Sequence, residues 1–266
     1  MDSEDQLKPT WSPLQLLYTT YEKQLLSQLD RSRLPAHVAV LADGNRRWAR
    51  ENAPGHPLVV GYRAGAGKLK EFVGWCNEVS IPIVTLWVLS TDNLRRSSDE
   101  EVTPLIGVIE NLVVDLAAHP AYHVKVVGDL NLLPKDVAAN LAAAQTTAAE
   151  NSRLHVNVAV AYGGRRELRD AVRSLLASEA ARGNDLETLA ETLEISHISE
   201  HLYTAGQPDP DLIIRTSGEQ RLSGFLLWQS AHSEYYFCEA LWPDFRKVDF
   251  IRALRSYSQR ERRYGR

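Results

Sequence analysis

No stretch of this chain approaches the roughly 20 apolar residues that a membrane span requires. Its acidic opening, Met1-Asp-Ser-Glu-Asp5, also lacks the apolar core of a secretion signal. The expectation is a cytoplasmic chain that touches the inner face of the cell membrane peripherally at most. Cysteine is scarce: Cys76 and Cys238 stand in apolar contexts with no C-x-x-C spacing, which reads as free buried thiols in a reducing compartment. Basic charge is not in excess either. A formal net charge of −4 argues against nucleic acid as the main partner, since a phosphate backbone calls for a basic surface. Any polyanion site must therefore be a local basic pocket. Internal repeats, low-complexity tracts and domain-splitting linkers are missing too. There is no Gly-x-Ser-x-Gly elbow, and His37, His56, His119, His123, His155 and His232 form no spaced cluster.

What is present is a chain of 266 residues, 44% hydrophobic, long enough to bury a large core. Residues 1–33 read as an N-terminal arm and helix, and 34–266 as one domain. Apolar runs at 38–42, 82–89, 123–127, 154–161, 211–215 and 235–238 have the length and composition of strands. Helical spacing covers 61–79, 99–118, 134–149, 163–182, 219–232 and 247–262, with two short helical pieces after the break at 183–185. This alternation predicts an α/β fold, a six-stranded and mainly parallel sheet covered by helices on both faces. In such sheets ligands bind beyond the carboxyl ends of the strands.

Three of those ends carry polar clusters. The first strand stops at Asp43, followed by Gly44 for a tight turn and Asn45 as the expected cap of a helix opening with Arg46, Arg47 and Trp48. A helix start beside two guanidiniums attracts anions, and the carboxylate among them fits if Mg²⁺ bridges it to a phosphate. An Asx-turn capping a helix with solvated arginines is the plainer alternative for this stretch alone. The second strand ends in Ser90, Asn93, Arg95 and Arg96. The fifth ends in Arg215-Thr-Ser-Gly-Glu-Gln-Arg221-Leu-Ser223. Arginines mixed with hydroxyl and amide groups suit diphosphate oxygens, so two phosphorylated ligands side by side with Mg²⁺ are expected.

Two tempting motifs carry less. His197-Ile-Ser-Glu-His201 matches a zinc-protease pattern but runs into Gly206-Gln-Pro with no third ligand. Gly61-Tyr-Arg-Ala-Gly-Ala-Gly-Lys68 resembles a phosphate-binding loop, yet its glycine spacing is wrong, and Leu69 replaces the required hydroxyl. Its glycines read instead as sites of close helix packing. The apolar stripe Val102, Leu105, Ile106, Ile109, Leu112, Val113 and Leu116 is core, or one wall of a hydrocarbon tunnel; periodicity does not separate the two.

Four segments together resemble a known family: His37-x5-Asp-Gly-Asn-x-Arg-Trp-Ala; Ser90-Thr-Asp-Asn93; Asp211-Leu-Ile-Ile-Arg-Thr-Ser-Gly-Glu-x-Arg-Leu-Ser-x-Phe-Leu-Leu-Trp-Gln229; and Glu234 with Leu241-Trp-Pro-Asp-Phe245. From about Leu34 to the C-terminus, in order, the chain is similar to the cis-prenyltransferases, the undecaprenyl diphosphate synthase family. The resemblance implies a Mg²⁺-dependent homodimeric enzyme that condenses isopentenyl diphosphate with an allylic diphosphate. By position it implies that Asp43 and Glu234 are metal-linked carboxylates. It makes Gly44, Asn45, Arg46, Arg47 and Trp48 the allylic diphosphate cradle, and Arg215, Arg221 and Ser223 the holders of isopentenyl diphosphate. Ser90 and Asn93 would assist proton removal, with Asp43 the acid essential to turnover. Leu94 and Arg96 would border the substrate, Leu94 standing where an aromatic residue usually follows the Asn. Arg263-Tyr-Gly265 resembles an element that reaches the partner subunit's site. Gln220 replaces a histidine often associated with metal, and the loop after Trp48 is longer than usual, leaving Leu58 and Tyr62 near the places of a family arginine and histidine. These features look most like the short-chain actinobacterial members that make Z,E-farnesyl diphosphate from geranyl diphosphate. A medium- or long-chain synthase, a non-catalytic subunit of a heteromeric prenyltransferase and a phosphohydrolase are the other expectations to be tested.

Overall fold

His37–Leu41 is buried at every residue, so this strand has no solvent face. That is how an inner strand of a parallel sheet reads, and it explains an apolar run without alternation. The structure is a computed structural model and describes residues 13–96, 98–145 and 153–259; the side chains of 13–17, 19 and 96 also lie outside that description. Its strands are β1 (His37–Leu41), β2 (Ile83–Trp87), β3 (Tyr122–Val127), β4 (Leu154–Ala159), β5 (Leu212–Arg215) and β6 (Glu234–Phe237). They form one six-stranded sheet in the order β3-β4-β2-β1-β5-β6, with every pair parallel. The chain builds outward from β1 on one side and then returns to place β5 on its other side. The carboxyl ends of β1 and β5 therefore flank the point where strand order reverses, where parallel sheets open a crevice.

The helices of this unit are α2 (Asn45–Asn52), α3 (Val59–Glu78), α4 (Thr91–Arg96), α5 (Asp99–Ala117), α6 (Lys135–Gln145), α7 (Gly164–Ala181), α8 (Leu186–Thr192) and α9 (Ile195–Ser199). Of the apolar stripe on α5, Ile106, Ile109, Leu112, Val113 and Leu116 are core. Residues 35–245 make one compact unit. The described ends of the chain make a second, in which α1 (Pro13–Ser27) packs on α10 (Lys247–Gln259). There the Arg246 and Arg252 guanidiniums lie 5.5 and 5.8 Å from the ring centroids of Tyr18 and Tyr21, cation–π contacts that tie the two helices.

One expected element does not form. Residues 219–232 are a succession of turns, not a helix. Ser217, Ser223 and Leu226 have φ of 73, 50 and 46°, and Gly218 and Gly224 are left-handed as well, so no helical ladder can run through them. The segment is pinned from outside: Leu226 N–H donates to Tyr162 Oη (3.1 Å), and the Gln229 amide donates to Glu167 Oε1 (3.0 Å). Gly164 lies so close that a Cβ there would sit 2.5 Å from the Gly224 carbonyl oxygen.

Candidate active site

Asp43 leaves β1 with its main chain clamped. Its N–H donates to Thr216 Oγ1 (3.0 Å), its carbonyl accepts from that hydroxyl (2.8 Å), and Trp242 N–H donates to the same carbonyl (2.9 Å). Gly44 then turns at φ 108°, in the left-handed region, and caps α2. Asn45 is the first helical residue and not the expected cap; its amide donates back to Ala42 O at 3.3 Å. The turn leaves the Asp43 carboxylate 48% exposed, with Oδ1 accepting from Gly44 N–H (2.8 Å) and Oδ2 from Arg215 Nη2 (3.1 Å). Arg215 is 4% exposed, and its Nη1 donates to Ser223 Oγ at 3.1 Å. Two strand ends far apart in sequence thus meet through one guanidinium.

Around this pair lies a cleft of about 520 Å³, within the range of small-molecule sites. Its walls bring together Asp43, Gly44, Asn45, Arg46 and Arg47 from the first strand end, Ser90 and Asn93 from the second, and Arg215, Arg221 and Ser223 from the fifth. Five arginines, counting Arg50, face three carboxylates, Asp43, Glu101 and Glu219. The chain is net acidic, yet this cleft is locally cationic, as an anion site requires. Arg221 is 72% exposed and pairs with Glu219 at 3.2 Å. Arg47 Nη1 donates to Ser217 O (3.4 Å), and Ser90 Oγ accepts from Asn93 N–H (3.0 Å), starting α4. Arg215 Nε and Ser217 Oγ are buried without a partner, polar atoms left over once the protein's own bonds are made.

Three expected residues are not brought in. Trp48 faces the other side of α2, where its indole N–H donates to Asp244 Oδ1 at 2.8 Å. Leu94 is half-buried in α4 but does not line the cleft. Glu234 opens β6 in register with Leu212, whereas Phe237 is the residue opposite Arg215; three residues of strand, about 10 Å, separate it from the cleft end of the sheet. The Arg96 side chain and residues 263–265 lie outside the described residues. The zinc-like motif is otherwise engaged: His197 Nδ1 accepts from Glu194 N–H (3.1 Å), and His201 Nδ1 lies 2.8 Å from Ser174 Oγ. The loop-like Gly61–Lys68 stretch is helical throughout.

Sequence reasoning missed Arg50, Tyr62, Trp87 and Glu101, which line the cleft together with Leu105 of the α5 stripe. Tyr62 Oη donates to Glu101 Oε1, which Arg46 Nη1 also approaches at 3.5 Å. Burial first, and then this carboxylate, push the Tyr62 phenol above its ordinary range. The signal for Arg50 was available, one turn after Arg46 and Arg47 on the same helix.

The sequence pattern of the family described as putative undecaprenyl diphosphate synthase, Prenyltransf, matches residues 41–265. The chain belongs to this prenyltransferase family. Among its curated relatives are the (2Z,6E)-farnesyl diphosphate synthase of Thermobifida fusca, 58% identical over 94% of this chain and 97% of that protein, and the short-chain Z-isoprenyl diphosphate synthase of Mycobacterium bovis, 54% identical over 94% and 96%. Lavandulyl diphosphate synthase from Lavandula x intermedia, solved with dimethylallyl diphosphate, superposes with a TM-score of 0.80 at 32% identity, covering 88% of this chain and all of that one. A prenyltransferase must neutralise a diphosphate leaving group and shelter apolar carbon, and the cleft has cationic and apolar lining for both. No described helix is long and apolar enough to cross a membrane.

Proposed function

We propose that this chain is a short-chain cis-prenyltransferase that condenses isopentenyl diphosphate with geranyl diphosphate to give Z,E-farnesyl diphosphate and free diphosphate, working as a homodimer. The observation that carries it is the Asp43–Arg215–Ser223 junction at the strand-order reversal, inside a cleft with five arginines. The short product rests on the names of the relatives that are more than half identical.

Among the described residues no group of three or more His, Cys, Asp and Glu side chains is placed to hold a metal. Asp43 does offer one half-exposed carboxylate. Mg²⁺ suits such a donor set, because it takes one or two carboxylates and completes its shell with water and substrate phosphates. When bound, it supplies positive charge against the departing diphosphate. The protein supplies the rest. Arg46, Arg47, Arg50 and the free N–H groups at the start of α2 receive the allylic diphosphate. Arg215, Arg221 and Ser223 hold isopentenyl diphosphate alongside, so that a carbon–carbon bond forms as the allylic carbon–oxygen bond breaks. The tertiary cation left on the isopentenyl unit then loses a proton from the carbon beside the diphosphate-bearing one, on the side of Ser90 and Asn93, and the new double bond forms there. Leu41, Leu89 and Leu105 keep water from the cation.

The test is product analysis with Mg²⁺, labelled isopentenyl diphosphate and either geranyl or farnesyl diphosphate as primer. A fifteen-carbon product from geranyl diphosphate, with little beyond it, is expected. A ladder of much longer chains would overturn the short-chain assignment, and no incorporation from either primer would overturn the enzyme assignment.

A further inference from the structure

Trp87 is the last residue of β2, and in register it stands opposite Leu41, as Arg215 does on the other side. Register partners in a parallel sheet project to the same face, so Trp87, Leu41 and Arg215 form one row across the rim, with Trp87 and Arg215 about 10 Å apart. The row passes from an indole to a guanidinium, from apolar to cationic. Trp87 lines the cleft, and its ring stacks on Phe225 with centroids 5.0 Å apart and planes 6° from parallel. Tyr162 meets the indole edge-on at 6.1 Å. Phe225 follows Ser223 by two residues, and Ser223 is the partner of Arg215. One short segment therefore supplies a hydroxyl to the cationic end of the row and a ring to the apolar end.

The indole N–H is buried and has no hydrogen-bond partner. A buried donor left unpaired is a cost to the fold, so the protein gains nothing from that nitrogen. What Trp87 presents is the breadth of its ring, held rigid by Phe225 and Tyr162.

We infer that Trp87 is the substrate-contacting residue that takes the five-carbon end of isopentenyl diphosphate, its ring face fixing the alkene while Arg215 and Ser223 hold the diphosphate. This rests on the reading of the cleft as a prenyltransferase site. It separates two parts of one ligand: charge is recognised at β5 and carbon at β2.

Inorganic diphosphate and isopentenyl diphosphate share the charged part and differ in the carbon, so calorimetric titration of both in Mg²⁺ isolates the contribution of Trp87. Wild-type protein should bind isopentenyl diphosphate more tightly than inorganic diphosphate. Trp87→Ala should weaken isopentenyl diphosphate about tenfold, the effect of withdrawing one or two buried methylenes from contact, and leave inorganic diphosphate unchanged. Trp87→Phe and Phe225→Leu preserve most of the packing and guard against misfolding; each should show a smaller loss confined to isopentenyl diphosphate, with KM for isopentenyl diphosphate raised and KM for the allylic primer unchanged. An equal loss for both ligands would mean that Trp87 merely supports the 223–225 segment, and no loss for either would also overturn the inference. A wild-type protein that binds inorganic diphosphate but gains nothing from the carbon chain would instead overturn the underlying function, a result readable before any variant is made.

Discussion

Arg215 commits one guanidinium nitrogen to Asp43 and another to Ser223, at 3.1 Å each, from a side chain almost wholly out of water. A planar fork can do this, and a lysine ammonium cannot span both partners. Arg215→Lys should therefore lower kcat/KM for isopentenyl diphosphate by roughly 10²-fold, the scale of one lost oriented donor, although the charge is conserved. Asp43→Ala acts differently. It should reduce kcat by roughly 10²–10³-fold, yet it leaves the buried Arg215 charge without its carboxylate. Such a charge favours any anion that can replace its partner, so metal-free binding of inorganic diphosphate should tighten in Asp43→Ala. Steady-state kinetics and calorimetry on the two variants check both statements, and weaker metal-free binding in Asp43→Ala would refute the second.

At the scale of elements, α2 crosses α3 over two glycines. A Cβ at Gly61 would fall 2.2 Å from the Asn45 carbonyl oxygen, and one at Gly65 would fall 2.2 Å from Asn45 Oδ1. Gly65 is further fixed by Trp242, whose indole N–H donates to its carbonyl at 2.9 Å. Either Gly→Ala change gains roughly 1 kcal/mol of helix propensity but must push the first turn of α2, with Asn45, out of place, at about 1–3 kcal/mol. The net should be destabilising, with KM for the allylic diphosphate raised more than KM for isopentenyl diphosphate. Gly67 and Gly74 on the same helix meet nothing within 4 Å, so Gly→Ala there should stabilise by about 0.5–1 kcal/mol, and melting curves of the four variants separate the two classes. The role of Gly61 and Gly65 was readable in the sequence, because the fingerprint that their spacing suggested failed on Leu69 and left packing as the reason for glycine. The strands were readable for a similar reason: burial on both faces imposes continuous apolar runs. The segment 219–232 was not. Its apolar spacing mimics a helix, while the left-handed backbone at Ser223, Gly224 and Leu226 is held against Tyr162, Gly164 and Glu167, residues distant in sequence. Trp48 and Glu234 stood near the right motifs, but only helix phase and strand register reveal that one faces away and the other sits at the far end of the sheet.

For the molecule as a whole, the Mg²⁺ proposed above would serve the ligand and not the fold. The core of residues 35–245 is a sheet buried by helices, and no cluster of three or more metal-binding side chains occurs among the described residues. A structural metal would need such a closed set of ligands. Chelation should accordingly stop turnover and leave the melting temperature within about 1 °C, since removing a weakly held surface cation costs little. Stabilisation should return with the ligand instead. Isopentenyl diphosphate at a hundred times its dissociation constant contributes about 2.7 kcal/mol, which for a chain of this size corresponds to a rise of roughly 5–10 °C. Mg²⁺ alone should produce almost none of that rise, and in Asp43→Ala the addition of Mg²⁺ to the diphosphate should no longer enlarge it, because the carboxylate proposed to link cation to protein is gone. Thermal melts of wild type and variant in chelator, Mg²⁺, diphosphate and both together distinguish the cases. A large fall in melting temperature on chelation alone would mean that the cation is bound by the folded chain independently of substrate, against a site in which the diphosphate carries most of the metal's ligands.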